Sequence, residues 1–193
     1  MIEKSNINKR VRLTKSLVHD ALIKMLKKVK INKITIRELC QIAGINRTTF
    51  YKYYGSQYDV FDEIVKEYLE QTSFKIIENI SAGKSIYECL TQTLQYIKEH
   101  HEFAKLMLQQ DHYNLLSNIK DSFPQFDNMI INHLPETLDI NTRNAIAIYV
   151  QYGSVKILKE WILSDCKVSP DEEAKLILYI AGRTMASEKV DVH

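Results

Sequence analysis

The sequence predicts an all-α protein with a small basic helical part at its amino end and a larger acidic helical part after it. Apolar residues recur at helical spacing through most of the 193 residues, and no stretch shows the alternation typical of a half-buried strand. Helix-start patterns occur at intervals along the chain, at Thr35-x-x-Glu38, Ser85-x-x-Glu88 and Ser169-Pro170. These observations favour helices packed on helices, without a sheet.

Charge is divided unevenly between the two parts of the chain. Residues 1–55, which we call the head, carry 13 Lys and Arg against 3 Asp and Glu, a net charge of +10. Residues 56–193, which we call the body, carry 13 against 21, a net charge of −8. Because a basic surface attracts the phosphate backbone of nucleic acid and an acidic surface repels it, only the head is expected to contact DNA.

The first helix of the head is expected to follow a flexible basic arm. Residues 1–13 are polar and basic, and such an arm either reaches a minor groove or phosphates of DNA, or is simply a solvated tail. Thr14 is predicted to cap the first helix. The apolar stripe of that helix extends from Val18 to Val29.

A second, short helix is predicted to begin at Thr35 and to end at Gly44. Thr35 and Glu38 have the spacing of a capping box, and glycine at the end allows the left-handed turn that commonly stops a helix. One face of this helix is expected to be buried through Ile36, Leu39, Cys40 and Ala43.

A third helix is predicted to begin at the cap residue Asn46 and to run to about Tyr53. It would bury Phe50, while its free face carries hydrogen-bond donors, aromatic rings and positive charge. A short helix of this kind, set directly after a glycine turn, is typical of the recognition helix of a helix-turn-helix.

The segment AGINRTTFYKYY, from Ala43 to Tyr54, resembles the DNA-binding signature of the tetracycline-repressor (TetR/AcrR) family, approximately A-G-V-S-x-x-T-[LF]-Y-x-[HY]-F. The match covers about the first third of the chain. It implies an N-terminal helix-turn-helix domain, residues 1–55, followed by a helical ligand-binding and dimerisation domain, residues 56–193. The chain departs from the family at Gln57, where a lysine commonly reaches a DNA phosphate, so that phosphate contact is in doubt.

The candidate DNA contacts are Thr35, Arg47, Thr48, Thr49, Tyr51, Lys52 and Tyr53. Arg47 and Lys52 can donate to guanine or to phosphates, and Thr48 can contact a thymine methyl group or a base edge. The resemblance implies phosphate contacts from the threonine that starts the second helix and from the two tyrosines. The alternative is that those tyrosines only pack against the first helix.

A long fourth helix is predicted from the cap residue Ser56 to about Ile80, with Asp59 at its third position. In a TetR-like protein this helix connects the head to the body and transmits movement between them. Further helices are expected from Ser85 onwards, on both sides of His112, between Pro124 and Pro135, from Asn141 or Thr142 to about Ser164, and from Ser169 to about Ser187.

The last two predicted helices are apolar on more than one face, so a second molecule is expected to cover them. TetR-like proteins pair these helices between two subunits, and the candidate interface residues are Val155, Leu158, Trp161 and Ile177. The segment from Gly153 to Ile162 also resembles a subgroup that includes regulators related to dihydroxyacetone kinase operons. This second resemblance supports a homodimer.

The family resemblance also implies a cavity for a small-molecule effector in the body. Candidate lining residues are Tyr96, Phe103, Met107, Tyr113, Tyr149 and Tyr152. The alternative is that these side chains simply belong to the core, and the sequence identifies no ligand.

Catalytic, metal and membrane functions find no support in the sequence. HxxxH, CxxC and HExxH spacings are absent, as are a glycine-rich phosphate loop and a nucleophile elbow, so we expect no enzyme, cofactor or metal site. No apolar run approaches the roughly 18 residues of a membrane span, and the amino end is unlike a signal peptide. Three widely spaced cysteines suggest reduced, mostly buried thiols in a cytoplasmic protein.

The predicted function is therefore a homodimeric repressor that binds a pseudo-palindromic double-stranded DNA operator and is released by a small molecule. One alternative is a regulator of the same fold that acts through a protein partner without a ligand, as an activator. Another is a helical interaction protein that no longer binds DNA. Gln57 is the only feature that supports this second alternative, and the net charge of +10 on the head argues against it.

Overall fold

The computed structural model describes residues 2–110 and 126–186, and over those residues it contains helices and no β-strand. The helices are α1 (Ile2–Leu26), α2 (Ile36–Ala43), α3 (Arg47–Phe50), α4 (Gln57–Ser81), α5 (Ile86–Glu99), α6 (His101–Leu108), α7 (Phe126–Ile131), α8 (Ile140–Leu163) and α9 (Pro170–Met185). A 3₁₀ turn, Ile31–Lys33, joins α1 to α2. The predicted all-α class is confirmed.

The chain divides into two compact units, of which the first ends at Tyr68 and the second begins at Leu69. The division lies inside α4, so this helix contributes residues to both units.

The first unit has a small apolar core to which each of its helices contributes. α1 packs on α2 and α2 packs on α3. The side chains of Leu22, Leu39, Phe50 and Phe61, from α1 to α4 respectively, are fully buried. Full burial of a side chain of this size stabilises the fold by about 1.5–3 kcal/mol. These few large residues therefore fix the helix-turn-helix segment onto α1 and α4.

The start of α1 corrects a prediction. The helix begins at Ile2, so the segment 1–13 that was expected to be a flexible arm is helical over its described residues. Thr14 lies inside the helix and does not cap it, and its hydroxyl donates to the carbonyl of Arg10 at 2.9 Å. Neither glycine nor proline occurs in residues 2–26, so nothing interrupts the helical hydrogen bonding of this polar stretch.

The second unit is built around α8 and α9. α9 packs on α5 and α8, and α8 also packs on α6 and α7. One apolar cluster at this contact consists of Ile130, Ala147, Val150 and Ala181, with Ile131, Ile146 and Met185 packed against it. The turn from α8 to α9 is closed by Trp161, whose indole Nε1 donates to the carbonyl of Val168 at 3.0 Å.

Apart from Thr14, local capping patterns were predicted well, with one exception. The capping boxes at Ser85–Glu88 and Ser169–Glu172 are both present, and Pro170 is the first residue of α9. The exception is α8, which was expected to open at Asn141 or Thr142. Its cap is Asp139, whose carboxylate accepts from the backbone amides of residues 141 and 142 at 2.9 and 3.1 Å.

Burial on α8 and α9 corrects the assignment of four body residues. Trp161 and Ile177, expected at a dimer interface, are only 3% and 7% exposed and belong to the core of the subunit. Tyr149 and Tyr152, expected to line a cavity, are 66% and 54% exposed, so they do not line an enclosed space within one subunit. α8 is apolar almost all round, and helical periodicity alone does not show which face meets α9.

The other candidates in the body agree better with their predicted surroundings. Tyr96 and Met107 are buried and Phe103 is half-buried, whereas Tyr113 lies outside the described residues. Val155 and Leu158 are half-buried on α8.

Two bulk predictions can be compared with the structure. The three cysteines are buried and free of disulfide bonds. Within residues 2–110 and 126–186, no helix combines the length and the apolar character needed to cross a membrane.

Candidate nucleic-acid interface

Thr35 starts α2 through the predicted capping box. Its hydroxyl oxygen accepts from the backbone amide of Glu38 at 3.3 Å, and its own amide donates to the Glu38 carboxylate at 3.3 Å. The Thr35 hydroxyl also donates to that carboxylate at 2.7 Å, and these hydrogen bonds hold the pKa of Glu38 below its usual range. The Thr35 side chain is exposed, but a phosphate contact through its hydroxyl proton would have to replace the bond to Glu38.

A left-handed glycine makes the turn between α2 and α3. Gly44 has φ +67° and ψ +29°, and the amide of Ile45 donates to the carbonyl of Cys40 at 3.0 Å. Glycine adopts this conformation without the steric cost that a Cβ atom brings. The turn therefore sets the direction in which α3 leaves α2.

Helix α3, the predicted recognition helix, is short and is fixed at both ends. At its start, the side-chain oxygen of Asn46 accepts from the amide of Thr49 at 2.7 Å. After the four residues of α3, the amides of Tyr53 and Tyr54 both donate to the carbonyl of Phe50, at 2.9 and 3.1 Å. The helical turn thus continues to Tyr54, close to the predicted end at Tyr53.

The outer face of this segment carries the predicted mixture of side chains. Arg47, Thr48 and Lys52 are exposed, Tyr51 is 58% exposed, and Thr49 and Tyr53 are half-buried. Phe50 is fully buried and its ring meets the rings of Tyr51 and Tyr54 at centroid distances of 5.5 and 5.6 Å. The cationic side chains of Arg47 and Lys52 and the phenol of Tyr51 therefore project from a short segment that is anchored by the buried ring of Phe50.

A polar cluster connects the end of this segment to α1 and α4. The hydroxyl of Tyr54 donates to Oε2 of Glu63 at 2.5 Å, and the ammonium of Lys15 donates to Oε1 of the same carboxylate at 2.5 Å. His19 completes the cluster, with Nε2 3.0 Å from the Tyr54 hydroxyl and 3.4 Å from Oε2 of Glu63. Among these partners of Glu63, the nearest in sequence is Tyr54, nine residues away, so no local sequence pattern predicted this cluster.

The electrostatics of the cluster stabilise an ionised carboxylate next to a protonated phenol. Burial raises the pKa of Glu63, but hydrogen bonds from Lys15 and Tyr54 outweigh that effect and hold the pKa below its usual value. Burial and the bond to Glu63 both raise the pKa of the Tyr54 hydroxyl. Tyr54 therefore remains a donor to Glu63 at physiological pH.

The start of α4 is occupied by a carboxylate. Asp59 accepts from the amides of Gly55 and Ser56 at 2.7 and 3.2 Å, and from the Ser56 hydroxyl at 2.8 Å. The Ser56 hydroxyl oxygen in turn accepts from the amide of Asp59 at 3.3 Å, which is the predicted cap. Gln57 is the first residue of α4 and is half-buried, so this helix start presents no cation to a phosphate through that residue.

The parts of the chain that the structure describes contain no group of three or more His, Cys, Asp or Glu side chains that could hold a metal ion. The neighbouring histidines of the body are engaged with the backbone. Nδ1 of His100 lies 2.8 Å from the carbonyl of Tyr96, and Nδ1 of His101 lies 3.0 Å from the carbonyl of Lys98.

A buried amide in the body is the feature most relevant to ligand binding. Gln151 on α8 is 0% exposed, and neither its side-chain oxygen nor its nitrogen has a hydrogen-bond partner among the described residues. A buried polar group without a partner costs about 1–3 kcal/mol, so such a residue usually has a functional or solvent partner. The sequence analysis did not identify Gln151, because one glutamine on a buried helix face has no distinguishing pattern.

Comparison with known proteins places these features in a family. Residues 84–182, just over half of the chain, match the family model TetR_C_8, described as "Transcriptional regulator C-terminal region". The chain is 22% identical over 159 residues to the uncharacterized HTH-type transcriptional regulator YxbF of Bacillus subtilis (strain 168). That alignment covers 80% of this chain but 41% of YxbF, so the chain spans less than half the length of that relative.

Solved structures show the same fold at low sequence identity. A TetR transcriptional regulator from Streptococcus agalactiae 2603V has a TM-score of 0.70 at 16% identity, covering 92% of this chain and 98% of that one. Thermus thermophilus FadR, a TetR-family repressor solved with lauroyl-CoA, has a TM-score of 0.56 at 14% identity, with coverages of 93% and 98%. The dihydroxyacetone kinase operon activator DhaS has a TM-score of 0.54 at 17% identity, with coverages of 89% and 96%.

These structural likenesses concern the fold alone, while the family model covers most of the body. The helix-turn-helix geometry of α2 and α3 is consistent with that match. The chain belongs to the TetR family of transcriptional regulators.

Proposed function

We propose that this regulator binds a pseudo-palindromic double-stranded DNA operator as a homodimer, represses transcription there, and is released by a small-molecule effector. The observation that carries DNA binding is the exposed face of the α3 segment, where Arg47, Thr48, Tyr51 and Lys52 project from a capped and anchored turn. The net charge of +10 on the head supplies the attraction to phosphate.

The proposed DNA contacts divide into those that read bases and those that set the register. Arg47, Thr48 and Lys52 are assigned to base edges, where a good direct contact is worth about 1–3 kcal/mol. Tyr51 and the half-buried Tyr53 are assigned to phosphates, which position the helix without reading sequence. Because one short helix supplies few such contacts, two subunits are needed for a selective operator.

A homodimer is supported by a large exposed apolar face on the last two helices. The exposed residues are Ile148, Tyr149 and Tyr152 on α8, and Leu176, Tyr179 and Ile180 on α9. An apolar face of this extent commonly marks a protein interface. A dimer paired through these helices would carry two recognition helices, one in each subunit, which fit half-sites about 34–36 Å apart.

An effector in the body is supported by the unpartnered amide of Gln151. A ligand that offers both a donor and an acceptor would satisfy it, and the buried Tyr96 and Met107 remain the proposed apolar lining. Because FadR of Thermus thermophilus was solved with lauroyl-CoA, acyl compounds are a reasonable first class to test.

The proposed release mechanism uses α4, whose residues belong to both units. A ligand that favours one position of α4 changes the separation of the two heads and lowers operator affinity. A differential affinity of about 2.7 kcal/mol between the two states changes DNA binding roughly 100-fold. Fold likeness does not set the sign of regulation, because one structural neighbour is named an activator and another a repressor. We further propose that the protein acts in the cytoplasm and has no enzymatic activity.

The direct test is selection of bound sites from a random duplex pool, followed by measurement of affinity for the selected site against salt concentration. A palindromic site with a steep negative salt slope supports the proposal, and Arg47→Ala should then relax the sequence preference. Lys167→Ala, which removes an exposed cation of the body, serves as the control and should leave the preference unchanged. If no sequence is enriched even at low salt, the head does not bind DNA selectively.

A further inference from the structure

The segment that reads DNA is too short to hold its own orientation. α3 has four residues in regular helical geometry, and Phe50 is its one fully buried side chain. Hydrogen bonds to base edges depend strongly on direction, whereas attraction to phosphates acts over several ångströms. Accurate base recognition therefore requires a further constraint on the segment, beyond the apolar anchor.

The polar cluster provides that constraint at the end of the segment. Glu63 on α4 accepts from Tyr54, the last residue of the recognition turn, and from Lys15 on α1. The Lys15 ammonium also lies 5.5 Å from the centroid of the Tyr54 ring, so it contacts both partners. One carboxylate thus connects three elements of the first unit, and the buried phenol is fixed by its ring and by its hydroxyl.

His19 restricts the cluster on a further side. Its Nε2 lies 3.0 Å from the Tyr54 hydroxyl and its Nδ1 lies 3.7 Å from Oε2 of Glu67, one turn along α4 from Glu63. Tyr54 is buried, and the side chains of His19 and Glu63 are only 13% and 28% exposed, whereas Arg47, Thr48 and Lys52 are exposed. The residues of the cluster are therefore placed to orient the reading segment and not to contact DNA.

We infer that Tyr54 and Glu63 are positioning residues for sequence readout: the bond between them sets the angle of the recognition segment against α4, and so controls selectivity more than general DNA affinity. This inference rests on the proposed DNA-binding function. It deepens that function by distinguishing the residues that contact bases from the residues that orient the recognition segment.

The test compares the selected operator with an unrelated duplex of equal length, using wild type and Tyr54→Phe. This substitution keeps the buried ring and removes only the hydroxyl. Affinity for the operator should fall roughly tenfold, as expected for loss of one hydrogen bond to a charged group, while affinity for the unrelated duplex and the salt slope stay unchanged. The ratio of the two affinities is therefore the decisive quantity.

A matched control is available in the second unit, where the hydroxyl of Tyr87 donates to the carboxylate of Asp171. Tyr87→Phe removes a bond of the same chemistry far along the chain from the recognition segment and should leave the affinity ratio unchanged. Glu63→Gln weakens the same bond by removing the charge of the acceptor, while its amide oxygen can still accept from Tyr54. The double variant Tyr54→Phe/Glu63→Gln should lose little more selectivity than either single variant, because both act on one bond.

Thermal unfolding of every variant shows that binding is measured on folded protein. An unchanged affinity ratio for Tyr54→Phe, or an equal loss on both duplexes, would overturn the inference and leave the cluster with a role in stability only. If Tyr54→Phe unfolds below the assay temperature, Glu63→Gln decides by the same ratio. If wild type itself selects no operator, the proposed function fails first, which distinguishes that result from failure of the positioning role alone.

Discussion

The hydroxyl of Tyr54 lies 2.5 Å from Oε2 of Glu63, which connects the last residue of the recognition turn to the second turn of α4. α4 is also the helix that crosses from the first compact unit to the second. A displacement of its first two turns would therefore act on the reading segment through a hydrogen bond, in addition to the packing of Phe50 and Phe61.

Replacement of Gln57 by lysine is expected to strengthen DNA binding and increase its salt dependence. The added ammonium would stand at the first residue of α4. One further phosphate contact should make the slope of log affinity against log salt more negative by about 0.9. The measurement is operator affinity at several salt concentrations, with Gln57→Met as a control of similar length and no charge.

An unchanged slope for Gln57→Lys would mean that phosphate does not approach the start of α4. The carboxylate of Asp59 already accepts from the backbone amides there, and it would then account for the missing contact.

The glycine turn at Gly44 sets the position of the α3 segment, which is the proposed recognition segment. Gly44→Ala should destabilise the protein by about 1 kcal/mol, because φ is +67° and a Cβ atom disfavours that conformation. No atom lies within 4 Å of the position of that Cβ, so the cost comes from the backbone and not from a clash. Gly44→Asn should cost less, since asparagine tolerates left-handed geometry, and thermal unfolding of both variants provides the comparison.

Equal losses for Gly44→Ala and Gly44→Asn would contradict the backbone explanation. Operator affinity measured on the same variants shows whether the direction of α3 changes as well as the stability.

Several features determined by neighbouring residues were predicted correctly from the sequence, whereas the polar cluster, which is formed by distant residues, was not. The cap at Thr35 and the turn at Gly44 depend on contacts within a few positions, and both are present in the structure. The cluster of Lys15, His19, Tyr54 and Glu63 joins positions up to 48 residues apart, and no periodicity indicates such a contact.

For the last two helices, too, the sequence predicted one kind of feature and missed another. Their existence and approximate limits were correct, yet Tyr149 and Trp161 were placed in the wrong surroundings. When a helix is apolar on most of its circumference, the sequence shows that it needs several neighbours but does not show which neighbour covers which face.

The corrected burial predicts which substitutions dissociate the proposed dimer. Tyr152→Glu places a charge on the exposed apolar face of α8 and should give a folded monomer with weaker operator binding. Trp161→Ala instead removes a core side chain and should lower the free energy of unfolding by about 3–5 kcal/mol. Sedimentation and thermal unfolding separate the two effects, and a dimeric Tyr152→Glu protein would exclude this face as the interface.

Gln151→Leu is expected to stabilise the body and to weaken the response to an effector. The substitution replaces a buried amide that has no partner in the described part of the chain with an apolar side chain of similar size. The free energy of unfolding should rise by about 1–3 kcal/mol, since the cost of the unmet amide disappears. Thermal unfolding measures the gain, and Gln92→Leu, at an exposed position of α5, is the control.

A loss of stability in Gln151→Leu would indicate that the amide has a structural partner such as a buried water molecule. A ligand found to release the operator should act less strongly on this variant if it bonds to the amide.

The buried carboxyl of Glu173 predicts a pH dependence of stability. Burial in α9, at 4% exposure, raises its pKa above the ordinary value of 4.5. The folded state then holds this proton more tightly than the unfolded state does, so its stabilising contribution is complete below about pH 4.5 and is lost as pH rises through the folded-state pKa. Several exposed acids, Glu38 among them, have lowered pKa values and act in the opposite direction, so the pH dependence of total stability is not diagnostic for Glu173.

The difference in stability between wild type and Glu173→Gln isolates the contribution of Glu173. Relative to wild type, the variant should gain stability as pH rises from 4.5 and reach a constant difference above the raised pKa. A difference that does not vary with pH between 4 and 8, measured by denaturant unfolding, would mean that Glu173 titrates alike in the folded and unfolded chain.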